Sequence, residues 1–130
     1  MGGVIGHCET NATYNNITVI GTPDAKQVRA TGNYVGGIVG NVKGAMNFNN
    51  LTVDGIDIAA NERAGGLVGD SDGGSVQISN SLVQNVNITV NNYAGGVIFS
   101  IRNGSSVTDS TVRNVRITGG AELGGISGTS

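Results

Sequence analysis

The chain has 130 residues, with 7 Lys and Arg against 9 Asp and Glu and a formal net charge of −2. That length holds one domain at most, and the charge balance argues against an electrostatic grip on nucleic acid. Glycine is abundant at 23 residues but not at every third position, and apolar residues recur on a schedule, so neither collagen nor a disordered acidic tail fits.

The chain opens on Gly2-Gly3-Val4-Ile5-Gly6, followed by His7, Cys8 and Glu9. A second phrase follows, Asn16-Ile17-Thr18-Val19-Ile20-Gly21, and then a longer stretch around Thr22 to Arg29 that contains the one proline, Pro23. The first phrase returns as Tyr34-Val35-Gly36-Gly37-Ile38-Val39-Gly40, the second as Asn50-Leu51-Thr52-Val53-Asp54-Gly55. The third pair is Gly65-Gly66-Leu67-Val68-Gly69 and Asn80-Ser81-Leu82-Val83-Gln84-Asn85, with Asp70-Ser71-Asp72-Gly73-Gly74 between them. Then come Gly95-Gly96-Val97-Ile98-Phe99, Asp109-Ser110-Thr111-Val112-Arg113-Asn114 and finally Leu123-Gly124-Gly125-Ile126-Ser127-Gly128. A fixed period of about 30 residues marks a repeat architecture. The period lengthens only around Thr22 to Arg29 and within Asp70 to Gly74, so those insertions belong at corners.

Val, Ile and Thr favour strands, Gly and Asn favour tight turns, and no stretch carries a helical apolar stripe. The expected fold is all-β: a parallel β-helix (β-solenoid) spanning residues 1–130 as a single repeat domain, with about four coils of about 30 residues. Three short strands per turn are expected, with right-handed crossovers. Two small coils of about 15 residues per repeat remain a rival, because the halves are near equal. Both ends run straight through repeat phrases, as in an excerpt from a longer array.

Stacking places like positions in columns. Val19, Val53, Val83 and Val112 form a valine column that belongs inside, as do Ile56, Val86, Val115 and Ile58, Ile88, Ile117. The residues between the last two, Asp57, Asn87 and Arg116, point outward. Gly21, Gly55, Asn85 and Asn114 exchange only the residues that accept positive φ, which implies a left-handed corner. Asn16, Asn50, Asn80 and Asp109 form either an amide ladder or separate Asx turns. The pairs Gly36-Gly37, Gly65-Gly66, Gly95-Gly96 and Gly124-Gly125 mark a sharp bend or a close backbone approach, feeding strands that start at Ile38, Leu67, Val97 and Ile126. Phe99 replaces the closing glycine and is expected to fill a local void.

These phrases, above all Gly65-Gly66-Leu67-Val68-Gly69 with its variants at Tyr34–Gly40 and Leu123–Gly128, resemble the GLUG-type repeat. The resemblance covers nearly the whole chain. It implies a β-helix-like region of a large secreted or surface-anchored bacterial protein, such as adhesin-like proteins or the flanks of immunoglobulin A-cleaving metallopeptidases. It carries over no catalytic residue.

Chemistry is thin. His7, Cys8 and Glu9 are neighbours on alternate strand faces, with no second cluster at zinc spacing, so neither a metal site nor a nucleophile pair is expected. The single Cys8 makes no internal disulfide. Asp70-Ser71-Asp72-Gly73-Gly74 resembles a calcium loop faintly, but lacks the bidentate Glu at the required offset, and a solvated loop is the expectation. Asp54 with Asp57, or Asp70 with Asp72, could serve a glycosidase only with tuned pKa values, for which no apolar surroundings are evident. Tyr34, Arg63, Tyr93 and Glu122 share one position before each glycine pair. They form a cation–π stripe that is either a stabilising ladder or a face for a sugar or protein partner.

The function expected is therefore a non-enzymatic structural and adhesive repeat module of an extracellular bacterial protein, presenting a flat solenoid surface to a host protein or glycan. No cofactor, nucleic acid or membrane insertion is expected, and uncapped coils should associate end to end. The alternative is a carbohydrate-binding or carbohydrate-processing β-helix.

Overall fold

The computed structural model describes residues 5–8, 11–22, 27–29, 34–70, 74–100, 104–119, 122–124 and 127–129. Every regular element among them is a β-strand. The first repeat contributes β1 (Ile5–Cys8), β2 (Ala12–Asn15), β3 (Thr18–Ile20) and β4 (Gln27–Arg29). The second contributes β5 (Tyr34–Gly36), β6 (Val39–Val42), β7 (Ala45–Asn49), β8 (Thr52–Asp54) and β9 (Asp57–Ala60). The third holds β10 (Arg63–Gly65), β11 (Val68–Asp70), β12 (Ser75–Ser79) and β13 (Leu82–Val90). The fourth holds β14 (Tyr93–Gly95), β15 (Ile98–Ser100), β16 (Ser106–Thr108) and β17 (Thr111–Thr118), before β18 (Glu122–Gly124) and β19 (Ser127–Thr129).

Each strand pairs in parallel with its counterpart in the neighbouring repeat. Four open sheets result, rather than the three expected: β1-β6-β11-β15-β19, β5-β10-β14-β18, β2-β7-β12-β16, and β3-β8-β13-β9-β4 with β17 on β13. Partners lie 34, 30 or 29 residues apart, as in the side-chain pairs Asn16–Asn50, Asp54–Gln84 and Asn85–Asn114. No pairing among the described residues joins positions about 15 apart, so the smaller coils are not formed. The offset falls from 34 at Ile20↔Asp54 to 30 at Gln27↔Asp57, which puts most of the early insertion between those residues. It rises from 29 at Asp70↔Asn41 to 30 at Ser75↔Ala45, which puts the later one where the spacing of the phrases placed it.

The valine column is real: Val19 pairs with Val53, Val53 with Val83, and Val83 with Val112. Val53 and Val83 are fully buried, and each such side chain contributes on the order of 1.5–3 kcal/mol. Ile58, Ile88 and Ile117 stack likewise, and Val28 extends their column. Tyr14 stacks on Phe48 with ring centroids 5.8 Å apart, closing the β2–β7 side. Strands β6 and β11 are buried along their whole length, as parallel strands covered on both faces are.

The glycine bends differ by one residue from expectation. Gly36, Gly65, Gly95 and Gly124 end strands, and the bend takes in Gly37-Ile38, Gly66-Leu67 and Gly96-Val97, so the next strand begins at Val39, Val68 and Ile98. Ile38, Leu67 and Val97 are buried in the bend itself, which is why the apolar residue stands there and not in the strand. Gly125 lies outside the described residues, as does the side chain of Phe99.

Left-handed corners occur twice in each of the second, third and fourth repeats. Gly55, Asn85 and Asn114 take positive φ as expected, and so do Asn16, Asn50, Asn80 and Asp109, but Gly21, expected to share the first of these corners, does not. The latter column carries a partial ladder on the exterior: Asn50 Nδ2 donates to Asn16 Oδ1 at 2.6 Å, whereas Asn80 Nδ2 donates to Asn49 Oδ1 at 2.9 Å.

Candidate functional site

Tyr34, Arg63, Tyr93 and Glu122 occupy one register position in β5, β10, β14 and β18. The shared position follows from the glycine bends, which hold these strands at the same distance from the corner in every repeat. The Arg63 guanidinium carbon sits over the Tyr34 ring, 5.3 Å from its centroid, and over the Tyr93 ring at 6.0 Å. Tyr34, Arg63 and Tyr93 are each half-buried, and Arg63 lies over one face of each ring.

Arg63 is also held from within its own repeat. Its Nη1 lies 2.7 Å from Asp70 Oδ2, across the bend that separates β10 from β11. Asp70 is fully buried, and Glu62 Oε1 is 3.7 Å from Arg63 Nε. Burial by itself lowers the Arg63 pKa, but the hydrogen bond and charge of Asp70, with Tyr34 and Glu62, raise it on balance, so the guanidinium stays charged. The expectation of a solvated loop fails at Asp70. Its carboxylate is an interior counter-ion, and residues 71–73 lie outside the described residues. Sequence reasoning missed this pair because its members flank a corner seven residues apart. A signal existed: the equivalent positions are Tyr34 with Asn41 and Tyr93 with Ser100, and only the third repeat carries opposite charges at both.

Asp54 and Asp57 are brought onto the exterior, but as acceptors in amide ladders. Asp54 accepts from Gln84 Nε2 and Asn85 Nδ2, each at 2.9 Å, and Asp57 from Asn87 Nδ2 at 3.0 Å. The bonds from Asn85 and Gln84 lower the Asp54 pKa, the opposite direction from a general acid. Asn91 Nδ2 donates to Asn61 Oδ1 at 2.8 Å, and Asn114 Nδ2 to Asn85 Oδ1 at 2.8 Å. His7 and Cys8 pair in register with Asn41 and Val42, while Glu9 lies outside the described residues. Among the described residues no group of three His, Cys, Asp or Glu could hold a metal ion, and no helix is long and apolar enough to cross a membrane.

Comparison with protein-family models, with curated proteins and with solved structures finds no match.

Proposed function

We propose that the chain is part of a right-handed parallel β-solenoid of about four coils of about 30 residues, and that it serves as a non-enzymatic structural and adhesive module of an extracellular bacterial protein. The observation that carries this reading is the constant register of Val19, Val53, Val83 and Val112, repeated in four side-by-side sheets. A stack of this kind spends its apolar residues on neighbouring layers and its polar ones on long exterior ladders. Those ladders give a persistent polar surface. The likeness of the glycine phrases to GLUG-type repeats supplies the setting, a secreted or surface-anchored protein that meets host proteins or glycans. End-to-end stacking through outer rungs belongs to the same reading.

Display of the chain on a non-adherent bacterial cell tests it. Attachment to host cells or to an arrayed glycan above that of an empty display strain is the expected result. Attachment equal to the empty strain sinks the adhesive role. Tyr93-dependent sugar binding with release of cleaved product would move the chain to the carbohydrate-processing alternative.

A further inference from the structure

We propose that a second copy of this chain docks antiparallel to the first across the exterior turn bearing Asp54, Asp57, Arg113 and Arg116, forming a closed two-fold pair. Two outward columns flank the left-handed turn at Gly55, Asn85 and Asn114. One reads Asp54, Gln84, Arg113 in successive rungs. The other reads Asp57, Asn87, Arg116. Both run acid, amide, base in the same direction along the stack.

The order is built in and not averaged out. Gln84 and Asn87 turn their amide N–H groups toward Asp54 and Asp57. Arg113 and Arg116 are exposed on β17, and no ion pair holds either among the described residues. Acid and base are two rungs apart, about 10 Å. That equals the screening length of about 10 Å at 0.1 M salt, so they neutralise one another poorly within one chain.

A two-fold axis across the columns at the level of Gln84 and Asn87 reverses the rung order of the second copy. Asp54 then faces Arg113 of that copy, and Asp57 faces its Arg116, with the same contacts repeated in the other direction. Gln84 meets Gln84 and Asn87 meets Asn87, and side-chain amides both donate and accept. The patch is thus self-complementary, as an isologous interface requires. Long arginine side chains reach around either side of the turn. A second copy aligned in the same direction and rung for rung would set like charge on like. This pairing needs only the strand register and does not depend on adhesion.

Sedimentation velocity over a concentration series tests the pairing, with two charge-reversed chains. One carries Asp54→Arg and Asp57→Arg, the other Arg113→Asp and Arg116→Asp. The native chain is expected to form a dimer at low salt whose affinity falls about ten-fold or more in 1 M salt, where the screening length is about 3 Å. Each reversed chain alone is expected to be monomeric, and an equimolar mixture to form a one-to-one complex. A native chain that stays monomeric, or association that survives both salt and reversal, overturns the proposal; the latter is the behaviour of apolar end-to-end stacking. If the Asp-reversed chain does not fold, the Arg-reversed chain decides: its substitutions are at exposed positions, and native-like association by it refutes the pairing.

Discussion

Gly66 packs against Val83 so closely that a Cβ at position 66 would lie 2.7 Å from Val83 Cγ1 and nearer still to the Gly96 carbonyl oxygen. Gly37 stands in the same relation to Val53, at 3.0 Å and 3.1 Å from its two methyls. In the second and third repeats the second glycine of the pair and the column valine are therefore two sides of one contact, with the bend pressed on the valine of the same repeat. Gly66→Ala should cost about 1–3 kcal/mol or more through overpacking, read as a lower urea midpoint. Adding Val83→Ala should not restore it, because the Gly96 oxygen is backbone and cannot retreat. Full rescue by Val83→Ala would show that side-chain crowding alone excludes a larger residue.

Val83→Asp tests the column from inside. It sets a charge at a fully buried site between Val53 and Val112, where the effective penalty is several kcal/mol. That is comparable with the whole stability of a domain of this size, about 5–15 kcal/mol. Loss of the cooperative melting transition is expected, and a native-like melt would place Val83 outside the core.

Arg63 and Asp70 should behave as a unit. Arg63→Met leaves Asp70 buried without its counter-ion and should cost about 3–5 kcal/mol. Arg63→Met together with Asp70→Asn should recover much of that loss, since no buried charge remains. A double-mutant cycle in chemical denaturation measures the coupling, and simple additivity would count against the pair.

Asn85 has φ 54°, and its side chain donates to Asp54. Asn85→Gly keeps the dihedral and should cost little beyond two lost exterior bonds, the one it donates to Asp54 and the one it accepts from Asn114. Asn85→Ala pays for left-handed backbone, on the order of 1–2 kcal/mol, and should melt lower than the glycine variant. The reverse order would contradict a dihedral role.

The Asp54 carboxylate titrates below its ordinary value of 3.8 because Asn85 and Gln84 donate to the charged form. A depressed folded-state pKa contributes stability that is present above the unfolded pKa and lost as pH falls through the folded one. Asp54→Asn should therefore flatten part of the loss of stability below pH 3.8 and leave the neutral-pH slope unchanged. Urea midpoints taken across that range check the sign.

The columns were legible because parallel stacking repeats one environment at one position, so Val19, Val53, Val83 and Val112 could be read as neighbours without coordinates. The corner at Gly55, Asn85 and Asn114 was legible for the same reason, since only two residue types fill it. The second corner was open to the same argument: Asn16, Asn50, Asn80 and Asp109 are all residues that tolerate positive φ, but their capacity for side-chain ladders masked the dihedral reason. The Arg63–Asp70 pair was not legible from columns, because it runs across the stack, not along it. The count of sheets escaped for another reason. Nothing in the alternation of Ala45–Asn49 separates a strand of its own from an extension of the one before.

Among the described residues Arg63, Tyr34 and Tyr93 form the one cation–π pile, while most rungs present nearly interchangeable valines and isoleucines. Unequal recombination that adds or removes a layer should therefore be tolerated least between codons 34 and 93, because a crossover there would part an arginine from the rings that enclose it.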